Sequence, residues 1–116
     1  MAYDIIGDIH GHDAALERLL RRLGYRNSGG SWHHPERTAL FVGDFIDRGP
    51  GQLKTINIVR SMVDSGAARA VMGNHEFNAI AWYTPDPDSP GAYLRSRSAK
   101  NRAQHAAFLE ETQANP

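Results

Sequence analysis

Thr38-Ala-Leu-Phe-Val-Gly-Asp-Phe-Ile-Asp-Arg-Gly49 is the stretch on which the fold of this chain turns. Its first five residues form a short apolar run of strand type, closed by Gly43, and the next residue is an oxygen donor, Asp44. The pattern recurs on both sides. Upstream, Ile5 and Ile6 stop at Gly7 and Asp8-Ile9-His10-Gly11 follows; downstream, residues 68–72 stop at Gly73 and Asn74-His75-Glu76 follows. A glycine before each donor lets the backbone turn sharply and leaves room beside it.

The intervening segments have helical spacing. Leu16, Leu19, Leu20 and Leu23 recur along a first amphipathic helix, with Asp13 as its expected cap and Gly24 as its stop. Residues 27–31 read as a turn, and a small hairpin around Trp32 is expected, stapled to the domain edge by Tyr25 and Trp32. Leu53, Ile56, Val59 and Val63 mark a second helix ended by Gly66. A third runs from about residue 74 to residue 82. Residues 84–91 carry three prolines and read as irregular chain, either one wall of a site or a plain connector. Helix returns from about residue 98 to residue 112, with His105, Phe108, Leu109 and Thr112 on one stripe. Strands alternating with helices imply an α/β fold with a parallel sheet of about three strands. Ligands of such sheets bind at the carboxyl ends of the strands, where all three donor strings fall.

Each string has two readings on its own. Asp8 and His10 are two apart, so at a strand end both side chains point to one face and clamp a divalent metal, or else they belong to a turn. Asp44 is a carboxylate able to bridge two cations, or an Asx-turn residue. Asn74 offers a metal a carbonyl oxygen, or caps the helix that follows. Arg48 supplies a planar cation for two phosphate oxygens, or is a solvated loop residue. His75 can protonate a leaving oxygen if a carboxylate orients its other nitrogen, and Asp47 is the candidate. Glu76 holds the local backbone or pairs with an arginine. His12 touches substrate or is merely exposed, His33 and His34 are expected to be exposed, and His105 is expected to pack rather than to ligate. Oxygen and imidazole donors gathered at strand ends are what a two-metal hydrolytic centre requires.

Composition narrows the classes. At 116 residues the chain suffices for one domain. Thirteen Lys and Arg balance thirteen Asp and Glu, which argues against a general nucleic-acid or acidic-membrane binder. The absence of cysteine excludes disulfides and thiolate metal sites. The amino terminus has no basic region followed by a signal-length apolar stretch, and no run approaches the roughly 20 residues needed to span a bilayer, so the expected location is the cytoplasm.

Together, GDIHG at residues 7–11, GDFIDRG at residues 43–49 and GNHE at residues 73–76 resemble the calcineurin-like metallophosphoesterases. They look most like the branch of Ser/Thr phosphoprotein phosphatases and bacterial symmetrical dinucleoside tetraphosphatases, with Asp47-Arg48-Gly49 as the discriminating element. The resemblance covers roughly residues 3–80. It implies that Asp8 and His10 ligate a first metal, that Asp44 bridges two, and that Asn74 ligates the second. It also implies that Arg48, with Asn74 and His75, binds the substrate phosphate, and that His75 oriented by Asp47 acts near the leaving group. Such enzymes carry Mn, Fe or Zn, with Mn favoured here, and a hydroxide bridging the metals attacks phosphorus without a phosphoenzyme. The implied substrates are phosphorylated small molecules, nucleotides or phosphoproteins.

The sequence also departs from that pattern. Family members complete the second metal site with two further histidines in later strands, whereas His105 is the single histidine after His75 and lies in a helical context. The expectation is therefore the N-terminal half of a phosphoesterase sandwich, residues 1–116 as a single domain with residues 82–116 as a loop plus helical extension. Such a fragment should hold one metal weakly, turn over poorly and self-associate through an exposed strand edge. The alternative is a non-catalytic metal-binding or interaction module that retains the half-fold.

Overall fold

A computed structural model of the chain describes residues 2–114. Its elements run β1 Ala2–Ile6, α1 Asp13–Arg22, β2 Arg26–Ser28, β3 Ser31–His33, β4 Arg37–Phe41, α2 Gln52–Asp64, β5 Ala68–Ala70, α3 Asn74–Tyr83 and α4 Ala99–Ala114. The three apolar runs form one parallel sheet in the order β1-β4-β5, and β2 and β3 form an antiparallel hairpin beside it. In register, Ile6 lies opposite Phe41 and Phe41 opposite Ala70, so all three carboxyl ends finish at one edge. This is the α/β sheet flanked by helices that the periodicity implies.

Strand alternation sends Asp4, Ile6, Ala39, Phe41 and Ala68 to one face, where they are buried. Leu16 and Leu20 of α1 and Val59 and Met62 of α2 pack on that face in a single apolar core. Tyr25 and Trp32 join the same core and anchor the hairpin. The opposite face is bare and apolar, with Ile5, Val42 and Val71 all largely exposed. Among the described residues no helix is long and apolar enough to cross a membrane.

Several local expectations are corrected. The residue at the N-cap of α1 is His12, which makes no side-chain capping bond; Asp13 sits in the first turn, where its charge meets the helix dipole and Lys54 at 3.6 Å. Of the stripe Leu53, Ile56, Val59 and Val63, Val59 is buried and Ile56 packs half-buried against the core, but Val63 is exposed, and the buried face of α2 takes in Gln52, Thr55 and Met62 instead. The reason is that the start of α2 packs on polar backbone: Thr55 Oγ1 donates to the Gly51 carbonyl at 2.7 Å, and Gln52 is fully buried against the preceding loop. His33 and His34 are both half-buried rather than exposed: His33 ends β3 in the hairpin, and the His34 ring lies 5.1 Å from that of Tyr25 while its Nδ1 accepts the amides of Glu36 and Arg37, each at 3.0 Å.

Two further features tie the chain together. Asp4, buried within β1, accepts from Tyr25 Oη at 2.9 Å and from Arg37 Nε at 2.9 Å, while Arg37 Nη2 reaches its other oxygen. The Arg37 hydrogen bond holds the Asp4 carboxyl below its ordinary pKa, against the opposing effect of burial. Burial, reinforced by Asp4, pushes the Tyr25 phenol upward. The proline-rich segment is closed by a bridge between Pro85 and Tyr93, with Leu94 N–H donating to the Thr84 carbonyl at 2.9 Å. α4 then folds back on α2, and Glu111 accepts the amide of Gln52 at 2.9 Å, at the first residue of that helix.

Candidate metal centre

The loops that leave β1 and β4 are laced together by backbone. His10 N–H donates to the Asp44 carbonyl at 2.9 Å, Gly11 N–H to Phe45 at 2.6 Å, and Gly49 N–H to His10 at 2.6 Å. A Cβ on Gly49 would overlap the Gly11 backbone, so the second glycine of GDFIDRG is a condition of this closeness. Glu76 binds the third loop to the second: its carboxylate accepts the amides of Asp44 at 2.6 Å, Gly73 at 2.9 Å, Phe45 at 2.7 Å and Ile46 at 3.3 Å. Of the two readings of Glu76, this is the backbone-holding one.

Asp8, His10 and Asp44 converge, with ligand atoms all within 4.8 Å of one another. The donor set fits a divalent cation such as Mn, Fe or Zn: two carboxylates and one imidazole. His10 Nδ1 donates to the Ile46 carbonyl at 3.0 Å, which fixes the ring tautomer and leaves Nε2 as the donor toward a cation. Strand alternation does not align Asp8 with His10, because β1 ends at Ile6. Both residues lie in the loop with left-handed backbone, φ 53° and 47°. Among the described residues, the non-glycine positions with positive φ are Asp8, His10, Asp44, Asp47 and Arg48. Each costs free energy that a loop without a task would avoid, on the order of 1–2 kcal/mol.

The remaining candidates surround this cluster. The His75 ring stands edge-on to His10, centroids 4.6 Å apart, and the His75 amide donates to Asp44 Oδ1 at 3.2 Å. His75 Nδ1 lies 2.9 Å from Asp47 Oδ2, and Asp47 is wholly buried. Arg48 is exposed at φ 89°. Asn74 is exposed and is the first residue of α3, whose N-cap is Gly73, so the capping alternative for Asn74 does not hold. His12 is exposed at the entry to α1.

Three contributors escaped the sequence reading. Gln52 accepts the Asp47 amide at 3.1 Å and donates to the Gly49 carbonyl at 3.2 Å, bracing the Asp47-Arg48-Gly49 turn. His105 is buried, as expected of a packed residue, yet its Nδ1 lies 3.1 Å from each oxygen of Asp47. Arg95 Nε donates to His105 Nε2 at 2.9 Å. The available signal was a histidine on the Phe108–Leu109 stripe of α4 and a glutamine at the start of α2.

A family model described as calcineurin-like phosphoesterase matches residues 1–111. The protein named bis(5'-nucleosyl)-tetraphosphatase PrpE (asymmetrical) from Halalkalibacterium halodurans is 47% identical over 76 residues, covering 65% of this chain and 31% of that protein. Its namesakes from Bacillus subtilis and Geobacillus thermodenitrificans are 45% and 49% identical over the same length, each again with 31% of the relative covered. The chain thus spans under a third of the length of these curated relatives. A solved structure titled as a cold-active protein tyrosine phosphatase superposes with a TM-score of 0.51 at 22% identity, covering 93% of this chain and 32% of that one. At that identity the likeness is one of fold.

Proposed function

The chain belongs to the calcineurin-like phosphoesterase family, and on that premise we propose that it builds the first half of a two-metal centre for phosphate-ester hydrolysis. The observation that carries this reading is the convergence of Asp8, His10 and Asp44 on left-handed backbone at the carboxyl edge of the sheet. Asp8 and His10 would hold the first cation, Asp44 would serve both, and Asn74 would serve the second. Bound divalent cations supply Lewis-acid charge and a lowered pKa for water. Arg48 holds the phosphate through its fixed pair of N–H donors. Asp47 accepts the hydrogen bond of His75 Nδ1–H, which leaves His75 Nε2 to give or take a proton at the leaving oxygen.

Mn is the favoured metal. Residues 1–116 act as one unit, the N-terminal part of the catalytic domain, and the cytoplasm is the compartment. Among phosphomonoesters, phosphoproteins and dinucleoside polyphosphates, the names of the relatives favour the last as substrate. The second cation has only Asp44 and Asn74 here, so this chain alone should bind one Mn weakly and turn over little.

Calorimetric titration with Mn, paired with hydrolysis of p-nitrophenyl phosphate and diadenosine tetraphosphate, tests the reading on this chain and on its full reading frame. One weak site here, and Mn-dependent turnover by the full protein that Asp44→Asn abolishes, is the expected result. Two tight sites on this chain would overturn the half-centre, and metal binding without turnover by the full protein would favour the non-catalytic module.

A further inference from the structure

We propose that His105, contributed by α4, is a positioning residue that locks the Asp47 carboxylate so that His75 is held in a single tautomer. The inference rests on the reading of His75 as the group that moves a proton. Its geometric basis is the set of contacts that His105 itself makes, with Asp47, Arg95 and Trp82.

Asp47 is wholly buried, and a buried carboxylate is tolerated only when its oxygens are satisfied. His75 reaches one of them, Oδ2. His105 Nδ1 lies 3.1 Å from Oδ1 and 3.1 Å from Oδ2, so its N–H is centred on the carboxylate and fixes the rotation of that plane. Without His105, Oδ1 has no partner among the described residues and the carboxylate can turn away from His75.

The direction of each hydrogen bond follows from chemistry. A guanidinium only donates, so His105 Nε2 accepts from Arg95 Nε and the ring proton sits on Nδ1. His105 Nδ1–H thus donates to Asp47, and the same carboxylate accepts from His75 Nδ1–H. Arg95 is itself fixed: its amide donates to the Ala81 carbonyl at 3.0 Å and its Nη2 to Gln104 at 2.9 Å. Trp82 closes the remaining side of His105, with ring centroids 5.4 Å apart in an edge-on arrangement. Both ring nitrogens are therefore used, and in a fixed sense. A residue that merely filled space on the α4 stripe would be apolar, because an imidazole at 1% exposure is costly unless paired.

The same helix holds the other end of the turn through Glu111 and the Gln52 amide, while Gln52 accepts the Asp47 amide. Asp47 is thereby gripped at its backbone by α2 and at its side chain by α4.

Long-range ¹H–¹⁵N imidazole spectra at constant pH, on the whole chain without metal, read the tautomer of each histidine. In the parent chain, His75 and His105 should both appear as pure Nδ1–H forms with slowly exchanging protons. His105→Leu should convert His75 to a mixture of tautomers with loss of its protected proton. His105→Asn, whose amide N–H can take the place of Nδ1–H, should restore the single form. Should His105→Leu fail to fold, Arg95→Met decides the matter: freeing His105 Nε2 should move the His75 signature part of the way. An unchanged His75 tautomer in a folded His105→Leu or Arg95→Met chain would overturn the proposal. This readout needs neither metal nor turnover, so failure of the phosphoesterase reading would appear in the Mn titration and leave this result standing.

Discussion

Asp4 and Asp8 stand on one strand and its exit loop, and the fold treats them in opposite ways. Asp4 is buried in β1 with ordinary backbone, and Tyr25 and Arg37 satisfy both its oxygens. Asp8 is exposed at φ 53° and is gathered with another carboxylate and an imidazole. The first arrangement lowers the free energy of the folded state. The second raises it, through left-handed backbone and the approach of like charges, offset in part by the His75 amide on Asp44. The strand thus carries stability along its length and chemistry at its carboxyl end, a division typical of sites built under strain.

The sharpest way to break that contrast is Asp44→Asn. It should weaken Mn binding by more than the roughly 10–100-fold that loss of an outer-shell partner costs. Asparagine keeps an acceptor for the His75 amide and tolerates left-handed backbone, so metal-free stability should move by no more than about 0.5 kcal/mol. Calorimetry and thermal melting read the two halves separately. Asp4→Ala should do the reverse. Leaving Tyr25 and the half-exposed Arg37 without their acceptor should cost about 2 kcal/mol in urea unfolding, with Mn affinity of the folded chain unchanged.

Acid sharpens the same point. The folded Asp4 carboxyl lies below its ordinary value, chiefly through the Arg37 hydrogen bond. Its stabilising contribution is therefore complete above the unfolded pKa of about 3.9 and is lost as pH falls through the lower, folded value. Unfolding measured from roughly pH 5 to pH 2 should show a steeper acid limb in the parent than in Asp4→Asn. The smallest effect has the opposite sign. Arg48→Gly relieves a φ of 89° and should raise stability by about 0.5 kcal/mol in melting experiments while weakening phosphate binding.

Much of this is legible in the chain itself. Three apolar runs, each closed by glycine, suffice for the parallel sheet, and donors placed just after them suffice for the clustering of Asp8, His10 and Asp44. The inner face of α2 is not legible, because hydrophobic spacing cannot register that Gln52 and Thr55 face loop carbonyls. Nor is the left-handed geometry that brings Asp8 beside His10, since alternation along a strand suggests another route to the same neighbourhood. His105 lies furthest out of reach: its partner is 58 residues away, and periodicity reports that it is buried without reporting on what.

That separation has a consequence for synthesis on the ribosome. Asp47 and the β4–α2 turn are made well before the helix that completes them, and at roughly 5–20 residues per second the interval across 58 residues is about 3–12 s. During it the carboxylate destined for full burial has neither His105 at its oxygens nor Glu111 at the neighbouring amide. The nascent chain must hold this turn open to water until α4 arrives, so a helix made well after the Asp-Arg-Gly loop is the one that seals it.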